Sequence, residues 1–272
     1  MSTRVAKPPQ REAQKRAQGV AQRKAQAQLA PVTISEFDGV RYLHLGTPWV
    51  QGAMRIRKSL GLELEYIQRM MAWMLLRPSD EVNHGHAVQL GLGAGAITRF
   101  CHSRLRMRST AVELNPAVIY ACRVWFHLPA DASRFQVLEM DAADYAADPQ
   151  RAESVQVLCI DLYDHDAASP MLDSEAFYTD CHRLLSGGGV MSVNLFGRDA
   201  SFERSAQRIA AAFGAAQVVS LRPTKEGNTI VVALKASPLP DRDTLAQRAD
   251  HIESRFKLPA KKWLQMMRAP SK

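Results

Sequence analysis

The stretch QLGLGAGAITRFCHSRLRMRSTAVELNP, Gln89–Pro116, decides the fold. In it an apolar run leads into three alternating glycines, Gly91, Gly93 and Gly95. A helical pattern follows, and a second apolar run ends at Glu113. This order predicts a strand, a glycine turn, a helix and a parallel strand, because parallel neighbours need a crossover connection. Glycine also lets a backbone approach a ligand closely at a helix N-terminus.

The glycine turn has a functional and a structural interpretation. A carboxylate at Glu113 can accept both hydrogen bonds of a ribose diol, which favours a nucleoside-binding cleft. The alternative is a loop that only turns a strand into a helix, and a dinucleotide-binding fold has the same glycines and acid. A further acid after the third strand, Asp141, can receive an adenine amino group. Together with an antiparallel finish of the sheet, this acid favours an adenosyl-sulfonium ligand.

Short apolar runs alternate with helical patterns from Ala87 onward, which predicts an α/β fold. We expect a Rossmann-like, seven-stranded, mostly parallel sheet with helices on both faces. Its last two strands, AQVVSL and NTIVVALK, are joined without a helix and predict an antiparallel hairpin at one edge. A small N-terminal β region precedes the sheet, with a hairpin signal at Asp38-Gly39.

The chain divides by composition into four predicted parts. Residues 1–30 carry seven Lys or Arg against one Glu, and they contribute most of the net charge of +8. We interpret this part as a disordered or weakly helical tail, with weak polyanion contact or a transit peptide as the alternatives. The small β region covers residues 31–60, the catalytic domain 61–236, and a C-terminal helical extension 237–272.

Composition narrows the class of protein further. The apolar runs are shorter than the ~18 residues of a membrane span, and the N-terminus lacks the apolar core of a secretory signal, so no membrane contact is predicted. The four cysteines show no CxxC spacing and are predicted to be reduced core residues of a cytoplasmic protein. They are Cys101, Cys122, Cys159 and Cys181.

A cluster of acids follows the fourth strand of the sheet, at Asp161, Asp164 and Asp166. Ligands of such sheets bind at the carboxyl ends of the strands, where clustered carboxylates concentrate negative potential. That potential suits a cationic amine substrate, and a carboxylate there can accept the proton that an attacking amine must lose. The alternative is a polar loop with turn-forming aspartates. No coordinating spacing is present, so no metal is predicted.

Five stretches together resemble the spermidine synthase (polyamine aminopropyltransferase) family, from about Gly39 to Leu234. They are LGLGAGAITRF, AVELNPAVIYACRVWFHLP, FQVLEMDAADY, VLCIDLYD and LDSEAFYTDCHRLLSGGGVMSVNL. The resemblance implies a class I S-adenosylmethionine-dependent methyltransferase fold with an N-terminal β-domain. It also implies a homo-oligomer, decarboxylated S-adenosylmethionine as the donor substrate and a small-molecule amine as the acceptor.

The resemblance also implies roles for single positions. Asp161 matches the acid that activates the attacking amine, and Asp164 matches the acid that helps to bind that amine. Gln68 loosely matches a substrate-binding glutamine. The positions implied for the donor nucleoside are Gly91, Gly93, Gly95, Glu113 and Asp141, with Gln51 as a looser match.

Four departures from the family pattern concern the donor tail and the acceptor. Ala94 stands where the family usually has an aspartate that contacts the aminopropyl end of the donor. Ile67 and Arg69 stand where it has a tyrosine and a glutamate. Leu162 and Tyr163 follow Asp161, where the family has small residues. The resemblance therefore implies a complete nucleoside half and an altered acceptor half.

Three functions follow from these observations. The first is aminopropyl transfer from decarboxylated S-adenosylmethionine to a diamine such as putrescine. The second is methyl transfer from intact S-adenosylmethionine to an unidentified acceptor, which the missing acid at Ala94 favours. The third is a non-catalytic nucleoside-binding module whose basic tail recruits a partner.

Overall fold

The computed structural model describes residues 29–162, 172–196 and 200–268. The chain divides into two compact units, Met1–Pro31 and Val32–Lys272, and the helices and strands given below lie in the second. The predictions for the basic tail and for Asp164 and Asp166 fall outside the described residues. The predicted limits at residues 30, 60 and 236 stay predictions.

A three-stranded antiparallel sheet begins the second unit, in the order β1-β2-β3. Its strands are β1 (Val32–Phe37), β2 (Val40–Leu45) and β3 (Val50–Arg55). The first two are joined at Asp38 and Gly39, which both have positive φ (49° and 71°). Two such residues fit a two-residue hairpin turn, because their twist matches that of the flanking strands. The predicted hairpin is therefore confirmed.

A helical segment connects the two sheets of this unit. It begins as α1 (Glu65–Met70) and continues as a 3-10 helix over Met71–Leu76, whereas the periodicity predicts one helix. Every residue of the 3-10 part is buried, so packing on all sides replaces the usual amphipathic stripe. Trp73 and Met74 of this segment are fully buried in the core.

The large sheet has eight strands in the order β11-β9-β10-β8-β7-β4-β5-β6. Neighbouring strands from β8 to β6 are parallel, and those from β8 to β11 are antiparallel. The eighth strand was not predicted, since two residues carry no strand pattern. The strands are β4 (His86–Leu90), β5 (Arg108–Glu113), β6 (Phe135–Glu139), β7 (Val155–Ile160), β8 (Leu185–Phe196), β9 (Val218–Leu221), β10 (Asn228–Leu234) and β11 (Met267–Arg268).

Helices cover both faces of this sheet, as predicted. Local signals set their starts: Pro116 occupies the first turn of one helix, and the Ser174 hydroxyl accepts from Phe177 N at 3.1 Å at the start of another. The helices are α2 (Ala96–Arg99, continued as a π-helix over Phe100–Arg104), α3 (Pro116–Trp125), α4 (Ala142–Ala147), α5 (Glu175–Leu184), α6 (Ala200–Phe213), α7 (Arg242–Phe256) and α8 (Ala260–Met266).

The core lies on the two faces of the large sheet and under the small one. One face packs on α1, the 3-10 helix, α7 and α8, and buries Trp73 and Trp263. The helices of the predicted C-terminal extension thus contribute to the core, and β11 extends the edge of the sheet. The other face packs on α4, α5 and α6. All four cysteines are buried and unpaired, which confirms their interpretation as core residues.

Within the described part of the chain, none of the helices combines the length and the apolar character that crossing a membrane requires.

Candidate active site

The order of the large sheet reverses at β4, whose parallel neighbours are β5 on one side and β7 on the other. The loops that leave β4 and β7 therefore diverge from adjacent strand ends and leave a crevice, the usual ligand site of such sheets. Asp161 follows β7, and its backbone N–H donates to Leu90 O of β4 at 2.9 Å. The glycine turn and Asp161 thus lie side by side at this edge.

The glycine turn adopts a conformation that few other residues tolerate. Gly91, Gly93 and Gly95 have φ of 83°, 51° and 68°, in the left-handed region. A Cβ at Gly91 would lie 2.2 Å from the backbone oxygen of Asp161. Glycine is therefore required at position 91 for two reasons, the left-handed backbone conformation and the close contact with Asp161.

Strand β3 of the small sheet packs directly on the glycine turn. A Cβ at Gly52 would lie 2.5 Å from both the Cβ and the backbone N of Ala94. The backbone oxygen of Gln51 would lie 3.0 Å from a Cβ at Gly93. Gln51 and Gly52 thus form a wall of the predicted donor site.

Glu113 ends β5 and contacts the glycine turn through its carboxylate. Oε2 accepts from Leu92 N at 2.9 Å, and Oε1 accepts from Asn115 N at 2.8 Å. Burial raises the pKa of Glu113, and hydrogen bonds from the Asn115, Leu92 and Leu114 amides act in the opposite direction. A carboxylate has about four lone-pair sites, so these three amides leave about one site free to accept from a ribose hydroxyl.

Asp141 lies at the same edge as Glu113, one strand further out. Glu113 and Glu139 are register partners, and Met140 N donates to Glu113 O at 3.1 Å. The Asp141 side chain caps α4, where Oδ1 accepts from Ala143 N at 2.7 Å. The helix cap fixes this carboxylate beside the strand ends.

Two neutral donors from distant elements hold the carboxylate of Asp161. Asn194 Nδ2 of β8 donates to Oδ1 at 2.9 Å, and the Tyr66 hydroxyl of α1 donates to Oδ2 at 3.2 Å. Burial raises the pKa of Asp161, and these two hydrogen bonds lower it. A carboxylate with a raised pKa is a better proton acceptor than an ordinary aspartate, provided that it is ionised.

Sequence reasoning missed Tyr66 and Asn194 as site residues. The family resemblance places a tyrosine at position 67, which is a buried isoleucine in this chain. The neighbouring Tyr66 instead donates its hydroxyl to Asp161. The sequence does carry a signal for Asn194, because an amide side chain in the largely apolar run VMSVNLF is costly unless it has a hydrogen-bond partner.

Gln68, predicted to bind substrate, and Arg69, one of the departures from the family pattern, contact other parts of the protein. Gln68 Nε2 donates to Leu62 O at 2.7 Å. Arg69 forms an ion pair with Glu65 at 2.6 Å. Arg69 also donates to Arg222 O, in the connection between β9 and β10.

Ala94 is 3% exposed and faces Gly52. In the described ranges, no group of three His, Cys, Asp or Glu side chains is arranged to hold a metal ion.

Solved structures with the same fold define the class of protein. A probable spermidine synthase from Corynebacterium glutamicum superposes with a TM-score of 0.67 at 17% identity, over 90% of this chain and 93% of that one. Human methyltransferase-like protein 13, in complex with SAH, gives 0.60 at 21% identity, over 72% and 93%. These likenesses place the chain in the class of proteins with a methyltransferase-like fold.

Curated relatives narrow this class to one family. The polyamine aminopropyltransferase of Neisseria meningitidis serogroup A is 32% identical over 249 residues, 91% of this chain and 92% of the relative. That of Chromobacterium violaceum is 34% identical over 229 residues, 84% and 85%. No protein-family model matches the chain. At this identity and coverage, the chain belongs to the polyamine aminopropyltransferase family of enzymes.

Proposed function

We propose that this protein transfers an aminopropyl group from decarboxylated S-adenosylmethionine to a diamine such as putrescine. One observation carries the proposal: Asp161 contacts the glycine turn through its backbone, and Tyr66 and Asn194 hold its partly buried carboxylate at the switch point of the sheet. Membership of the polyamine aminopropyltransferase family supports the same reaction.

The donor nucleoside binds along the glycine turn in this proposal. Gly91, Gly93 and Gly95 provide a backbone surface without side chains, and Gln51 closes the site from β3. Glu113 binds the ribose through its remaining lone-pair site, and Asp141 receives the adenine amino group. The two acids follow adjacent parallel strands, which supports their binding neighbouring parts of one adenosine.

The acceptor amine binds beside Asp161. Its nitrogen must lose a proton before its lone pair is available, and the Asp161 carboxylate accepts that proton. The nitrogen then bonds to the carbon next to the sulfonium. The carbon–sulfur bond breaks, and its electron pair stays on sulfur in methylthioadenosine. Alignment of nitrogen, carbon and sulfur provides the other main contribution to the rate.

Three further residues act on the amine and the base. Asn194 fixes the orientation of the Asp161 carboxylate from the rigid β8 strand. Asp164 and Gln68 are proposed to bind the amine. The carboxylates at this edge of the sheet attract a dication such as putrescine, which supports a small-molecule amine as the partner.

The Asp161→Asn variant tests the assignment of the base. Asparagine has the same shape but cannot accept the proton, so we expect aminopropyl transfer to fall by at least ~100-fold. Binding of decarboxylated S-adenosylmethionine, measured by titration calorimetry, should stay within about twofold of wild type. Full transfer activity in this variant would reject Asp161 as the base.

Methyl transfer from intact S-adenosylmethionine is the second candidate, and Ala94 favours it. No carboxylate at position 94 repels the carboxylate of an intact donor. Calorimetry with both donors separates the candidates: stronger binding of the decarboxylated donor supports aminopropyl transfer, and stronger binding of the intact donor supports methyl transfer. Turnover of either donor excludes a non-catalytic nucleoside-binding module.

We further propose that the protein works as a homo-oligomer in a reducing compartment such as the cytoplasm. The family resemblance supports the first point, and four buried, unpaired cysteines support the second. Weak polyanion contact through the basic tail remains part of this proposal, on the charge of residues 1–30 alone.

A further inference from the structure

Buried side chains hold the backbone oxygens of the glycine turn. Four consecutive carbonyls, from residue 91 to residue 94, each accept a hydrogen bond from such a side chain. The pairs are Gln89 with Gly91 and Leu92, Cys122 with Gly93, and Arg99 with Ala94. Hydrogen bonds from buried side chains thus stabilise the turn that carries the predicted donor site, in addition to the hydrogen bonds of its own backbone.

Gln89 makes the largest contribution to this arrangement. It lies in the central strand β4, in which every residue is buried, and is itself 3% exposed. Nε2 donates to Gly91 O at 2.7 Å and to Leu92 O at 3.2 Å. Oε1 accepts from Thr98 N at 3.0 Å and also from the Thr98 hydroxyl. One amide thereby joins the start of the turn to helix α2, and its two donors and two lone pairs are all used.

The peptide groups of Leu92 connect this amide to the nucleoside site. Leu92 O accepts from Gln89, while Leu92 N donates to Glu113 Oε2 at 2.9 Å. Gly95 N also donates to Leu92 O, at 2.8 Å. A change in the position of Leu92 therefore moves both the turn and the Glu113 carboxylate, which is proposed to bind the ribose.

We propose that Gln89 is a positioning residue for donor binding, acting through Leu92 on the glycine turn and on Glu113. This inference rests on the proposed binding of an adenosyl donor at the turn. A buried amide in an apolar strand is costly unless fully hydrogen-bonded, and here its bonds end on the loop that touches the donor. Gln89 does not contact the reacting atoms, so it affects affinity for the donor more than turnover.

The test compares Gln89→Met with Thr110→Val. Methionine keeps the length of the side chain and removes all four hydrogen bonds. Thr110→Val is the matched control, because it removes a buried hydroxyl bonded to His86 Nε2 at 2.9 Å that does not contact the turn. Thr98→Val, which removes only the hydroxyl, is the milder variant should Gln89→Met fail to fold.

We expect Gln89→Met to raise the calorimetric Kd for decarboxylated S-adenosylmethionine at least about tenfold, or ~1.4 kcal/mol. Its KM for the donor should rise in parallel, with kcat at saturating donor within about threefold of wild type. Thr98→Val should raise Kd by about threefold or more, and Thr110→Val by less than about twofold, although both lose thermal stability.

Two outcomes overturn the inference. The first is a Gln89→Met protein, or a Thr98→Val protein if the former does not fold, whose Kd matches that of Thr110→Val. This result leaves the proposed function intact. The second is a wild-type protein that binds no decarboxylated S-adenosylmethionine, which refutes the proposed function and the inference together.

Discussion

Replacing Asn194 by leucine tests how the protein prepares Asp161 for catalysis. Asn194 Nδ2 donates to Asp161 Oδ1 at 2.9 Å from the interior of β8, and leucine has a similar size without the donor. Tyr66 then remains on the other oxygen, at 3.2 Å. The substitution removes one hydrogen bond to a partly buried carboxylate without opening a large cavity.

The size of the effect follows from the charge of the acceptor. A hydrogen bond to a charged group contributes ~1.5–3 kcal/mol, which corresponds to about a 10- to 150-fold loss in kcat/KM for the amine at neutral pH. Burial already raises the pKa of Asp161, and the Asn194 hydrogen bond lowers it. Its removal raises the pKa further, so the fall of activity on the acid side of the pH profile moves to higher pH. The defect should shrink as the pH rises, because Asp161 then ionises in both proteins.

The assay is kcat/KM for putrescine at saturating decarboxylated S-adenosylmethionine, measured from about pH 5 to pH 9 to cover both ionisation states. Ser192→Ala is the matched control, because Ser192 lies on the same strand, is buried, and donates to Met70 O at 2.8 Å instead of to Asp161. The role given to Asn194 would be refuted if the Asn194→Leu protein kept the wild-type kcat/KM and lost activity at the same acidic pH as wild type.

Two predictions concern the stability of the elements that carry the site. Gly91→Ala should lower the free energy of unfolding by at least ~1–2 kcal/mol, because alanine is strained in a left-handed conformation and its Cβ would meet the Asp161 oxygen. Gly187→Ala, with open space around its Cβ, is the control, and equal urea midpoints for the two would contradict the steric argument. Ser174→Ala removes the cap of α5 and should cost ~1 kcal/mol in the same measurement. An unchanged midpoint would show that this cap is not stabilising.

Most of the fold follows from local patterns. The alternation of apolar runs and helical periodicity predicts seven strands and helices on both faces, since burial on a sheet demands these periods. The positive-φ turn at Asp38-Gly39 and the cap at Ser174 are likewise local. The pattern does not predict β11, because its two residues depend on pairing with β9 rather than on their own sequence. The change from α to 3-10 helix after Met70 depends on packing in the same way.

The sequence by itself determined the strand–glycine–helix unit and the acids at its strand ends, because periodicity and glycine act over a few neighbouring residues. Only the tertiary structure decided what meets these groups. Tyr66 and Asn194 lie 95 and 33 residues away from Asp161 along the chain, and Gln89 reaches Glu113 only through the peptide of Leu92. Such contacts depend on strand order and helix placement, which a single local pattern does not encode.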